Sequence, residues 1–247
     1  MRRALSVFAG LVGALALALT VLPANAASPP TKVAPPVPQT HECDKVGVCI
    51  HVTGPWVAVP ANGESTFLLE CPKRGGAVGG SDARASSSAV RVWFDAQFGS
   101  PVSLGITTHA FLLWHAVSLN GKPGSFQPLI GCVPGKQRSP PPSTLSARVV
   151  PAGKDPGVSL EPRAKNLVVL PGEQQTGKES CMPHERLIGS WDSIAFIQTG
   201  PPDLQYVSMI TRNLKVVANS RVVDAIHSDP SLPISGTVVQ VGAVCAP

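Results

Sequence analysis

Apolar and polar positions alternate along this chain in short stretches. Thr107, His109, Phe111, Leu113 and His115 fall on one side, and Thr108, Ala110, Leu112, Trp114 and Ala116 on the other. That is the period of a β-strand, and the smaller, mostly apolar second face assigns Trp114 to a core. Thr66-Phe67-Leu68-Leu69 leads into Cys71, and Ala89 to Asp95 alternates in part. Further on, Ser193 to Ile197, Gln205 to Thr211, Leu214 to Ala218 and Gly236 to Val244 predict more strands. Asn62-Gly63 and Asn120-Gly121 are turn signals. With 26 Pro and 23 Gly there is little room for long helices. Short strands separated by Gly/Pro turns predict an all-β fold of small sandwich- or barrel-like units.

The pattern occurs twice. Val57-Ala58-Val59-Pro60 precedes Cys71, which is followed by Val78, Gly79 and Asp82. Val168-Val169-Leu170-Pro171 precedes Cys181, which is followed at the same offsets by Ile188, Gly189 and Asp192. Phe126-Gln127 to Cys132-Val133-Pro134 stands against Val239-Gln240 to Cys245-Ala246-Pro247, with Gln five before the Cys and Pro two after it in both. No single match is strong, but the ordered set predicts an internal duplication.

Arg2 and Arg3, the apolar run Ala4 to Leu22, and Ala24-Asn25-Ala26 read as a signal peptide over 1–26, with the mature chain starting at Ala27. Residues 27–52 form a Pro-rich lead-in that holds Cys43 and Cys49. Residues 53–134 are the first β module, 135–165 a Pro-rich linker, and 166–247 the second β module. No second stretch of about 20 apolar residues occurs, so no transmembrane segment is expected after cleavage. An exported chain with six Cys permits disulfides, and six Cys allow 15 pairings. The duplication selects Cys71–Cys132 and Cys181–Cys245, separated by 61 and 64 residues, and leaves Cys43 and Cys49 to close a local loop. Closing a loop of about 60 residues is worth roughly 4 kcal/mol in the chain-entropy model.

The stretch Cys71-Pro72-Lys73-Arg74-Gly75-Gly76-Ala77-Val78-Gly79-Gly80, with the closing Val239 to Ala246, resembles a Cys-Pro…Gly-Gly…Cys-Ala β-rich repeat domain of exported bacterial proteins, chiefly actinobacterial in type. The second copy departs from it at Met182-Pro183 and at Ser190. The resemblance implies export and a β fold, and no activity travels with it.

Composition narrows the chemistry further. Charged residues are 14% of the chain, and once Arg2 and Arg3 leave, 18 basic residues face 15 acidic ones, a net +3. No basic run reads as a nucleic-acid surface. His109 and His115 would lie roughly 20 Å apart along a strand, too far for one ion. His41, Cys43 and Cys49 read as a disulfide loop rather than a metal cluster. Ser190 and Ser193 flank Asp192, with His184 and His227 in the same half, but no nucleophile elbow occurs. Gly172-x4-Gly177-Lys178 fails as a phosphate loop at Glu179. Neither a metal nor a cofactor is expected.

What remains are four candidate ligand residues. Trp93 and Trp191 stand beside polar turn residues, where an exposed ring face would suit a carbohydrate, although lidding a small core is the plainer role. Asp82 and Asp192 recur at equal positions and would serve one site per module or cap turns. The expectation is a secreted, extracellular, non-enzymatic protein that binds an unknown extracellular or cell-wall ligand, with two linked sites gaining avidity. A secreted hydrolase with an unrecognised site between the modules and a secreted protease inhibitor are the alternatives.

Overall fold

The computed structural model describes residues 40–44, 48–72, 76–95, 110–133, 160–218, 220–233 and 236–247. All of them belong to one compact unit, residues 39–247. The signal segment, the lead-in before Thr40, residues 135–159 of the linker, His109, and the Lys73-Arg74-Gly75 stretch lie outside the described residues.

The fold is β almost throughout. The first half contributes β1 (Ile50–Thr53), β2 (Trp56–Val59), β3 (Glu64–Glu70), β4 (Ala77–Ala85), β5 (Val90–Asp95), β6 (Phe111–Ser118) and β7 (Gly124–Val133). The second half contributes β8 (Glu161–Val168), β9 (Gln174–Ser180), β10 (Arg186–Phe196), a 3-10 helix (Leu204–Met209), β11 (Ile210–Val217), β12 (Arg221–Ser228) and β13 (Thr237–Ala246). No helix among the described residues is long and apolar enough to cross a membrane.

Alternation explains the core. On β6, Leu112, Trp114 and Ala116 are buried while Phe111 and His115 are half-exposed. The buried set meets Phe67, Leu69, Val57, Phe126 and Ile130 in one apolar cluster. A second cluster in the other half gathers Ile194, Phe196, Val222, Ile226, Val239 and Val241. Disulfides tie Cys71 to Cys132, Cys181 to Cys245, and Cys43 to Cys49, and both Cys132 and Cys245 are fully buried.

The two halves pair their strands in one order. β7 carries β4 on one edge and β1 then β2 on the other, and β13 carries β10 and β8. The remaining strands form three-stranded sheets, β3-β6-β5 and β9-β12-β11. The halves are not beads on a linker. Val57 and Trp56 of β2 pair with Ala195 and Phe196 of β10, so one seven-stranded sheet runs through both. Trp191 also packs against Leu68 and Leu113 across this seam.

Four expectations change. Gln205 to Thr211 is not a strand: Asp203 accepts from the Gln205 N–H at 3.1 Å and starts the 3-10 helix, with β11 following it. Residues 161–165 of the expected linker belong to β8, which lies along β13. The module boundary at residue 53 cuts β1, whose Ile50 pairs with Cys132. Asp82 and Asp192 do not occupy equal places. Val78 stands opposite Cys132, but it is Leu187, not Ile188, that stands opposite Cys245. The counterpart of Asp82 in register is therefore Trp191, and a one-residue slip sends side chains to opposite faces.

Candidate functional site

The candidate residues separate into three places. Asp82 and Trp93 line an open depression of about 580 Å³ between β4 and β5. Asp82 is already engaged there: its Oδ2 accepts from the His41 N–H at 3.0 Å and its Oδ1 from the Ala83 N–H at 2.7 Å. It pins the segment that carries Glu42. That residue is 1% exposed, and its carbonyl lies where a Cβ on Gly80 or Gly131 would sit, which explains why glycine stands at both positions. Burial alone would raise the Glu42 carboxyl. Hydrogen bonds from His51, its own backbone N–H and Thr40 outweigh it and hold the group below the usual carboxylate range.

Trp93 is 37% exposed and stacks on His115, ring centroids 5.6 Å apart. His115 Nδ1 lies 2.6 Å from Glu64 Oε1 and 3.2 Å from Thr66 Oγ1, and its Nε2 lies 3.2 Å from Asp95 Oδ2. The Thr66, His115 and Asp95 sequence has the order of a nucleophile, base and orienting acid. Glu64 holds the ring nitrogen that Thr66 would need, so the imidazole ties strands together instead.

Trp191 offers no face to a ligand. It is 8% exposed, its Nε1–H donates to Gln240 Oε1 at 3.1 Å, and its ring occupies the space that a side chain at Gly242 would take. The recurrent Gln is structural as well. Gln240 accepts from the Leu68 N–H at 2.7 Å and donates to the Leu68 carbonyl at 2.9 Å, so its amide closes the free edge of β3.

Asp192 is differently placed. It faces the interior of its half from β10, alongside Ile194 and Phe196, at the lip of a cavity of about 320 Å³ on the seam. That volume falls at the small end of ligand sites. Ala58, Val59, Pro60, Glu64, Ser65 and Pro123 wall it from the first half; Asp192, Ile194, Leu204, Val207, Ser208 and Arg212 wall it from the second. Arg212 Nη1 lies 3.2 Å from Asp192 Oδ1.

Behind Asp192 sits Asp224, on the central strand of β9-β12-β11 and fully buried between Val222 and Ile226 of the same face. Its Oδ1 accepts from the Asn213 N–H at 2.8 Å, while its Oδ2 has no donor among the described residues. Burial first, and then the neighbouring Asp192 carboxyl, push Asp224 up to about 6 against the pull of Asn213 and Arg212. A proton on Oδ2 would satisfy that oxygen by donating to Asp192. The sequence did carry a signal for Asp224. Val222, Asp224 and Ile226 form a period-2 apolar stripe with one carboxyl in it.

Other chemistries find no centre among the described residues. Ser193 is buried and points away from Asp192 across the sheet, and His227 is on the exposed face of β12. Cys181, Glu185 and Cys245 bring ligand atoms within 4.8 Å of one another. The two sulfurs are joined to each other, and Glu185 already takes Arg163 through two bonds of 2.6 and 2.9 Å, so this donor set does not fit a thiolate metal site. Gly172 is a turn residue at φ +71° and Gly177 abuts Val241 and Leu167, so this stretch cradles no phosphate. No family model, curated protein or solved structure matches the chain.

Proposed function

We propose that the chain is an exported, internally duplicated binding protein of bacterial type, acting outside the cell on an envelope or extracellular ligand, and that it holds this ligand at one site on the seam. The signal-like segment ending at Ala26, the three disulfides and the matching strand order of the halves support export and duplication. The observation that carries the binding reading is the 320 Å³ cavity walled by both halves, apolar on most sides and charged at Asp192 and Arg212. Avidity from two tethered sites gives way to a single composite site, because β2 and β10 join the halves in one sheet. A secreted hydrolase has one observation in its favour, a protonatable carboxyl beside an ion-paired one. Asp224 does not line the cavity, however, so it cannot reach a substrate directly.

The test is co-sedimentation of residues 27–247 with isolated bacterial cell envelopes, beside Ser208→Trp. Ser208 is an exposed cavity residue, so a large ring there fills the cavity without touching the core. Wild type should pellet, and the variant should stay largely in the supernatant. Equal pelleting of both, or of neither, would count against envelope binding through the seam.

A further inference from the structure

The charges around the seam cavity do not balance among themselves. Asp192 and Asp224 are neighbouring carboxyls, and among the described residues Arg212 is the one cation bonded to them. Glu64, the other acid in the wall, is held to His115. The groups facing Asp224 are few. β10 presents Asp192 and β11 presents Arg212, while the residues directly opposite in the sheet are Leu214 and Gly177. On β9, Glu179 lies two residues along from Gly177 and accepts from the Ser180 N–H. β13 and the 3-10 helix carry no charged residue. Lys165 of β8 shares the face of Asp192, across Val241, but is exposed, so among the described residues no second cation is bonded to the carboxyl pair, and Asp224 Oδ2, fully buried, has no donor there. An uncompensated buried charge of this kind is costly. Either a proton or a bound cation must compensate it.

The geometry points to a ligand with one ammonium group on a small apolar body, seated in the seam cavity with the ammonium on Asp192, in front of the buried Asp224 carboxyl whose Oδ2 has no donor among the described residues. This inference rests on the seam-site reading and names its ligand class. The apolar body meets Val59, Pro60, Ile194, Leu204 and Val207. The exchange balances: one ammonium enters, one proton leaves the carboxyl pair to solvent, and the site's charge is unchanged. A free amino acid derivative and the amino end of a peptide present the same head group, so the probes must separate them.

The sign of the pH dependence follows. Asp224 holds its proton below about 6, so under acid conditions the ligand must displace a proton to bind. Affinity should fall about tenfold per pH unit below that point and be flat between it and the ligand's own pKa. Titration calorimetry with leucine amide at pH 5 and 7.5 reads this directly. We expect binding about tenfold weaker at pH 5, with one proton released there. Isocaproamide, the same skeleton without the amino group, should bind at least tenfold more weakly at pH 7.5. A leucine-leucine dipeptide amide that binds more tightly than leucine amide assigns the site to peptide amino ends, and weaker binding assigns it to single small amines.

Asp224→Asn keeps the Asn213 bond and offers Asp192 a fixed donor in place of the proton. It should bind leucine amide weakly at both pH values. Asp192→Asn should lose binding more than tenfold, with the melting temperature of each variant confirming that it folds. If isocaproamide binds as well as leucine amide and Ser208→Trp abolishes both, the cavity is a binding site and the ammonium assignment falls. If Asp224→Asn keeps the wild-type pH dependence, the proton exchange falls. If leucine amide does not bind at all, the inference is overturned, while envelope co-sedimentation still decides the broader reading.

Discussion

A carboxyl on the apolar face of a central strand costs stability wherever it is ionised. Asp224 occupies such a place, between Val222 and Ile226, with one oxygen lacking a donor among the described residues. Its folded pKa of about 6 lies above its ordinary 3.8. Between these values the native state binds a proton that the unfolded state has released, so stability falls as pH rises through that window and levels off above it. The expected loss is on the order of 2 kcal/mol. Asp224→Asn, neutral at every pH, should therefore be more stable than wild type at pH 7.5 by about 1–2 kcal/mol, and the gain should vanish near pH 4. Urea denaturation at the two pH values measures this, and a gain that persists unchanged at pH 4 would sink the argument. The Asn that stabilises the fold is the same change that weakens the amine site, the trade expected where buried charge serves binding rather than folding.

At the scale of elements, one side chain gathers most of the polar bonds beside the paired strands of the seam. The Gln240 amide pairs with both backbone groups of Leu68 and takes the Trp191 N–H, all in a buried setting, and it donates to Asn166 Oδ1 at 2.9 Å nearer the surface. Gln240→Leu leaves three buried polar groups without their partner, the Leu68 N–H and carbonyl and the Trp191 N–H, and each buried orphan costs about 1–3 kcal/mol. The variant should lose at least about 3 kcal/mol in urea denaturation. Gln127→Leu frees the Gly54 carbonyl and a long 3.4 Å contact to Arg84, and should lose less. Equal losses would mean that Gln240 does no more than fill space. Legibility in the sequence follows the same physics. β6 is legible because Leu112, Trp114 and Ala116 make one buried face while Phe111, His115 and Val117 on the other are only partly buried, Leu113 alone there being covered, by Trp191. β8 and β9 are not, because Glu161-Pro162-Arg163 and Gln174-Gln175-Thr176 are polar edge strands held by pairing with β13 and β12, which a composition of this kind does not announce. The 3-10 helix reads as a strand in the sequence since Gln205, Val207 and Met209 also fit period 2, while the Asp203 cap that decides the matter is a local hydrogen bond. Asp192 stands out by its offset from Cys181, but its partner Asp224 meets it only through the packing of two sheets.

For the whole molecule, the sheet shared by the two halves matters more than their likeness in strand order. Two tethered modules would unfold independently, each with its own disulfide. Here β2 lies between β7 and β10, and Trp191 of one half is buried on Leu68 and Leu113 of the other. Separating the halves would expose that cluster and the paired edge of β2, so neither half gives up its structure without cost to its neighbour. The seam cavity is then a property of the intact fold alone, and ligand binding should stabilise both halves together. Calorimetry of residues 27–247 should show one transition whose calorimetric and van't Hoff enthalpies agree. Replacing Cys181 and Cys245 by Ser removes a crosslink spanning 64 residues, worth about 4 kcal/mol. It should move that single transition down as a whole, taking the first-half core around Trp114 with it. Two resolved transitions, with only the lower one shifted by the Cys changes, would instead show that the halves fold separately. The seam would then be a contact the molecule can release, and two independent weak sites would again be the better account of binding.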